Sequence, residues 1–111
     1  MKSEKHKSYW LLEDENEDVS AIANAFEKEI LSKCKGENVV INLLEHKSLN
    51  LPQLLIFLKL SNTHRGSGHS FIIANNALST IDIPTEMVVV PSLQEAEDII
   101  EIEEIERDLG I

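Results

Sequence analysis

The sequence predicts an α/β domain with a mixed, largely parallel sheet of about four strands and three helices, in the order β-α-β-α-β-β-α. Three observations carry this. Short apolar runs at 39–44 (VVINLL), 70–74 (SFIIA) and 87–90 (MVVV) have the length and content of strands covered on both faces. Longer segments with apolar residues at helical spacing alternate with them. The connections are long enough for right-handed crossovers between parallel strands. A chain of 111 residues removes roughly two thirds of its unfolded surface from water, which is enough for one core and no more.

The elements follow in order. Residues 1–7 hold Lys2, Lys5 and Lys7 with almost no apolar content and read as a disordered N-terminus, so the single domain runs over 8–111. Ser8–Glu13 joins aromatics to leucines and suits a first strand at a sheet edge. From Asp18, the spacing of Val19, Ile22, Ala23, Phe26, Ile30 and Leu31 is helical. Glu17 and Asp18 sit at the positive end of its dipole, and Lys33, Lys35 and Gly36 end it. Asn38–Leu44 is the expected centre of the sheet. Asn50 and Gln53 form a capping box, and Pro52 is tolerated in a first turn, so a helix starts there and continues to His64, Arg65 and Gly66. Its apolar residues extend around much of the cylinder, which predicts cover on more than one side. After the Ser70–Ala74 strand, residues 75–85 read as a loop, Met87–Val90 as a strand and Pro91 as its stop. Ser92 and Glu95 cap a terminal helix carrying Leu93, Ala96, Ile99, Ile100, Ile102, Ile105 and Leu109.

Charge and composition narrow the function. Ten basic against twenty acidic residues give a net charge of −10, a poor footing for holding a phosphate backbone, so no direct nucleic-acid binding is expected. Residues 19–91 are balanced at six acids and six bases. The excess lies in Glu13–Asp18 and in Glu95–Asp108. The longest apolar run, Leu54–Leu58, is far short of the ~20 residues a membrane helix needs. One cysteine, Cys34, forms no internal disulfide, which fits a reducing, cytoplasmic setting.

The residues from 39 to 75, VVINLLEHKSLNLPQLLIFLKLSNTHRGSGHSFIIAN, resemble the centre of a STAS domain, the module of anti-sigma factor antagonists. That family shows an apolar strand, a loop ending in Asp-Ser-Ser-Gly, an apolar helix, Arg-x-x-Gly and a second apolar strand. VVVPSLQEAEDII is similar to its last strand and the Ser-x-x-Glu-Ala start of its final helix. The resemblance spans about residues 38–108 and implies a regulatory protein-interaction module. It also implies a contact surface at the start of the central helix, around His46, Ser48, Asn50, Leu51, Pro52 and Gln53. In the regulatory members a serine at that helix start is phosphorylated, because a helix N-terminus stabilises an added anion. Here Asn50 falls at the usual aspartate, Leu51 and Pro52 at the two serines and Gln53 at the glycine, so the phosphoacceptor is missing. Ser48 keeps a hydroxyl nearby at a position that is not equivalent.

The chain is also similar to short bacterial proteins ending in an IEEIERDLG-like segment, some of which carry the name ribonuclease Z. That enzyme binds two metals through a His-x-His-x-Asp-His cluster. His6, His46, His64 and His69 match none of those spacings, so the alternative role is that of an accessory subunit of an RNA-processing enzyme.

No other pattern supplies chemistry. RGSGH at 65–69 follows a helix and precedes a strand, the reverse of a phosphate cradle. His64 and His69 lack further metal ligands nearby in sequence. Cys34, between Lys33 and Lys35, has the neighbours that lower a thiol pKa, although a chemically silent helix-end cysteine is the simpler reading. The expectation is a non-enzymatic module with no catalytic, cofactor or metal set. In the terminal helix, Glu97, Glu101, Glu104 and Asp108 recur at steps of four, three and four as an acidic stripe. With Ile105 the stripe forms a second candidate docking surface, for a basic protein or a second copy of the chain.

Overall fold

An antiparallel hairpin opens the fold. In the computed structural model, which describes residues 1–79 and 81–110, Lys2–Lys5 forms β1 and pairs with β2 (Trp10–Glu13) in the register Lys2↔Glu13 to Lys5↔Trp10. Thr80, inside the expected 75–85 loop, and Ile111, the expected end of the domain, lie outside the described residues. The expected disordered N-terminus is thus an edge strand, and the sheet has five strands rather than four. An outermost strand needs no apolar side chains if its backbone finds partners, and charged residues are at home on an edge. Lys5 adds an ion pair with Glu37 and lies 5.6 Å from the Trp10 ring centroid.

The remaining elements are α1 (Val19–Glu29), β3 (Val39–Asn42), α2 (Leu51–Leu55), α3 (Leu58–Gly66), β4 (Phe71–Ala74), β5 (Val88–Val90) and α4 (Leu93–Asp108). The strands lie in sequence order, β1-β2-β3-β4-β5, with β2 to β5 parallel and β3 at the centre. The sheet is mixed and largely parallel, and β2 onward follows the expected element order except that two helices, α2 and α3, stand where one was expected.

Asp18 caps α1, accepting bonds from the backbone N–H of Ser20 (3.0 Å) and Ala21 (3.4 Å). The helix then widens into a π-turn over Ile30–Cys34 before Gly36, at φ +81°, ends it. The central helix, expected to be continuous, breaks at Ile56 and Phe57. Their N–H groups bond the carbonyls three residues back, Gln53 and Leu54, and tighten the turn. Phe57 is buried there, 6.5 Å from Phe26 between ring centroids.

Alternation along the strands sorts the core. Leu12, Val39, Ile41, Phe71 and Ile73 face α1, α2 and α3, and Leu11, Val40 and Ile72 face α4. Successive right-handed crossovers advancing in one direction along a sheet place α1 and the α2–α3 unit on the same face. The β4–β5 connection has no helix among its described residues, and Leu78, Ile83 and Met87 extend the same cluster in its place. The central helix is covered on one side only. Leu55 and Ile56 are 41% and 42% exposed, contrary to the expected wrap-around burial.

Candidate functional site

Parallel strands bring their carboxyl ends, and the loops that follow, to one edge of the sheet, so that edge is the first place to look for function. The loop from β3 to α2 lies there. Its shape is set by Asn75, whose buried Nδ2 donates to the carbonyl oxygens of Leu43 (2.8 Å) and His46 (3.0 Å). The half-buried His46 ring meets the Asp14 carbonyl oxygen through Nε2 at 3.2 Å, and Leu49 anchors the loop in the core. Asn50 and Gln53 form the expected capping box, with bonds of 3.0 and 3.1 Å. Both are consumed by holding the helix start. Lys47, Ser48 and Pro52 are exposed, and Leu51 packs its half-buried side chain on the core. Glu17, Glu45, His46, Ser48 and Gln53 share a shallow depression, so the first acidic block stands beside this loop. Neither Leu51 nor Pro52 carries a hydroxyl at the helix start.

The acidic stripe of α4 does not form one solvated face. Glu97 accepts a bond from the Tyr9 hydroxyl at 3.0 Å. Burial, reinforced by Glu97, pushes that hydroxyl up to about 12. Glu104 is half-buried near Lys5, Lys7 and Arg107. Glu101 and Asp108 are exposed, as are Ile102, Ile105 and Leu109, at 51%, 59% and 68%. Ile100 is fully buried, whereas Ile99 is only partly so. α4 starts beside the end of β5 and finishes against Asn38, at the opposite edge of the sheet. The β3–α2 loop and the distal half of α4 therefore sit at opposite ends of the strands, on different faces. The structure does not bring these two predicted surfaces together.

What holds the far end of α4 is a polar cluster that sequence reasoning missed. Glu103 receives two bonds from the Arg65 guanidinium (2.7 and 3.3 Å) and one from the Ser70 hydroxyl (2.6 Å). Arg107 donates to Ser70 Oγ (3.3 Å) and to Asn38 Oδ1 (3.2 Å), which also accepts from the Ser70 N–H (2.8 Å). Burial pushes the Glu103 carboxyl up, but the bonds from Arg65 and Ser70 and the charges of Arg65 and Arg107 outweigh it and hold the group below its ordinary value. A polar residue stands immediately before each of two apolar strands, Asn38 before VVIN and Ser70 before FIIA. That repeated offset was the available signal.

The remaining candidates separate by burial. His64 is buried, and its Nε2 lies 2.6 Å from the Glu37 carbonyl oxygen, which only accepts, so Nε2 carries the proton. Burial, with a lesser contribution from His69, lowers its pKa to about 4. The His64 and His69 ring centroids are 6.0 Å apart, and among the described residues no group of three His, Cys, Asp or Glu could hold a metal ion. Cys34 is fully buried; desolvation, aided by Glu29, raises its thiol to about 11 against the opposing pull of Lys33 and Lys5. The lowered thiol pKa considered from its lysine neighbours is thereby reversed. No described helix is long and apolar enough to cross a membrane.

No protein-family model matches the chain, and no curated protein matches it in sequence.

Proposed function

We propose that the chain is a STAS-like, non-enzymatic interaction module of the bacterial cytoplasm, with a regulatory role, that docks a basic protein on the outer side of α4. The observation that carries this reading is the exposure of Ile102, Ile105 and Leu109 on a helix that also turns Glu101 and Asp108 to solvent. Spacings of three and four put the three apolar residues on one side, and an apolar row rimmed by charge has the anatomy of an interface core with a polar rim. Like charge would oppose a second copy on the same acidic face, so a basic partner fits better than a homodimer. The second proposed contact is the β3–α2 loop, with His46, Ser48 and Pro52, together with the exposed Leu55 and Ile56 that follow in the chain. Control by phosphate at the start of α2 is left out of the proposal, since Leu51 and Pro52 cannot accept it.

Affinity purification from the native cell tests the reading. A basic protein should be recovered and then rebind in purified form. Glu101→Lys with Asp108→Lys should abolish that binding without unfolding the chain, because exposed charges contribute little to stability. Recovery of a regulatory protein supports the module, and recovery of a nuclease supports the accessory-subunit alternative. Metal-dependent RNA cleavage by the chain alone, lost on changing His64 and His69, would overturn both.

A further inference from the structure

A cleft of about 490 Å³ lies between the π-turn that ends α1 and the outer side of α3. Neither proposed docking surface includes it. Its volume is within the roughly 300–1,000 Å³ of small-molecule sites, and its walls are mainly apolar, with Ile30, Leu31 and Leu60 prominent. Leu31 is largely exposed here, on a stretch of helix with π geometry, a local widening that recurs at functional sites. Lys35, Lys59 and His69 line the same cleft. Neither lysine pairs with a carboxylate among the described residues. Glu27 is the single carboxylate of the lining, so two lysines less one glutamate leave a net charge of +1, in a molecule whose total is −10. The buried His64 ring, bonded to the Glu37 carbonyl, adds uncharged aromatic surface.

We propose that this cleft binds a single-chain amphipathic carboxylate, its hydrocarbon tail between Ile30, Leu31 and Leu60 and its anionic head toward Lys35 and Lys59. An apolar wall selects the tail and sets no preference for a head group. The two lysines supply that preference, and with Glu27 the lining's net single positive charge matches a monoanion better than a doubly charged phosphate ester.

Decanoate below its micelle concentration, titrated into the full chain and followed by amide NMR, tests the site. Saturable shifts should map to Leu31, Leu60 and Thr63. Decanol, decyltrimethylammonium and decyl phosphate should each bind at least about tenfold more weakly, as should decanoate to Lys35→Glu/Lys59→Glu or Leu31→Glu. All three substituted residues are exposed, so the variants should keep the wild-type spectrum elsewhere. The proposal is overturned if decanoate leaves the cleft amides unmoved, if any of the other three amphiphiles binds as well, or if the variants bind decanoate undiminished.

Discussion

On one face of the sheet, α1, α2 and α3 bury Phe26, Phe57, Phe71 and Ile22 in a single apolar cluster. On the other, α4 alone covers Leu11, Val40 and Ile72, and Glu103 and Arg107 tie down its far end. The first face is closed by apolar burial along the sheet, with Leu31, Leu55 and Ile56 exposed on the outer sides of its helices. The second is closed by burial at Ala96 and Ile100 and by hydrogen bonds beyond them, which leaves Ile102, Ile105 and Leu109 without a structural task. A helix fixed by polar groups at its end can keep an apolar side in solvent. That is the physical room the proposed docking surface would need on a domain this small.

Phe57→Ala should cost the most, about 3–5 kcal/mol, and Ile100→Ala about 2–4 kcal/mol, both by denaturant melts. Comparable losses at Phe57 and Ile105 would erase the difference between the faces.

Each face also carries a titrating group, the buried His64 on one and the half-buried Glu103 on the other, and the two respond to acid in different ranges. His64, on the three-helix side, has a folded pKa near 4 against an ordinary 6.5. The unfolded chain therefore binds the proton first, and the stability tied to His64 is full above about pH 6.5 and drains away as pH falls toward 4. The loss amounts to up to roughly 3 kcal/mol, and His64→Gln should flatten the stability profile across that window. Glu103, on the α4 side, is held below its usual range. Its contribution is present above the unfolded carboxylate pKa and is lost as pH falls through the lowered folded value, so Glu103→Gln should destabilise at neutral pH and converge on the wild type at the acid end. At neutral pH that variant should cost about 1–3 kcal/mol, because Arg65 keeps a weaker acceptor.

Ser61 gives the smallest effect. Its Oγ is fully enclosed beside Phe57 in the helix and has no hydrogen-bond partner among the described residues, so Ser61→Ala should leave stability unchanged or raise it by about 1 kcal/mol in the same melts.

Much of the fold was legible because apolar periodicity and caps act locally. Asp18, the Asn50–Gln53 box and Ser92 mark helix starts where the structure has them, and VVIN and FIIA are adjacent central strands. Residues 2–5 were illegible as a strand because edge pairing uses backbone groups that leave no trace in KSEK. The break at Ile56–Phe57 was hidden because neither glycine nor proline makes it. Of the candidate surfaces, the cap residues and Ile105 could be read from spacing, whereas the exposure of Ile102 could not. The split of the acidic stripe could not, since Glu97 turns to Tyr9, a partner 88 residues away in the chain. The Glu103 cluster likewise joins residues from α3, α4 and two strand entrances, a convergence only the tertiary fold creates.

The central claim is that the distal side of α4 serves binding while its proximal side serves folding. The most direct measurement is the affinity of the purified basic partner for Ile105→Ala, with the melting of the same variant and of Ile100→Ala recorded alongside. The account predicts that Ile105→Ala keeps wild-type stability to within about 0.5 kcal/mol, as expected for an exposed site, and loses most of its partner affinity, while Ile100→Ala is strongly destabilised. If Ile105→Ala unfolds as readily as Ile100→Ala, or binds the partner as tightly as wild type, α4 is a structural cover and the claim fails.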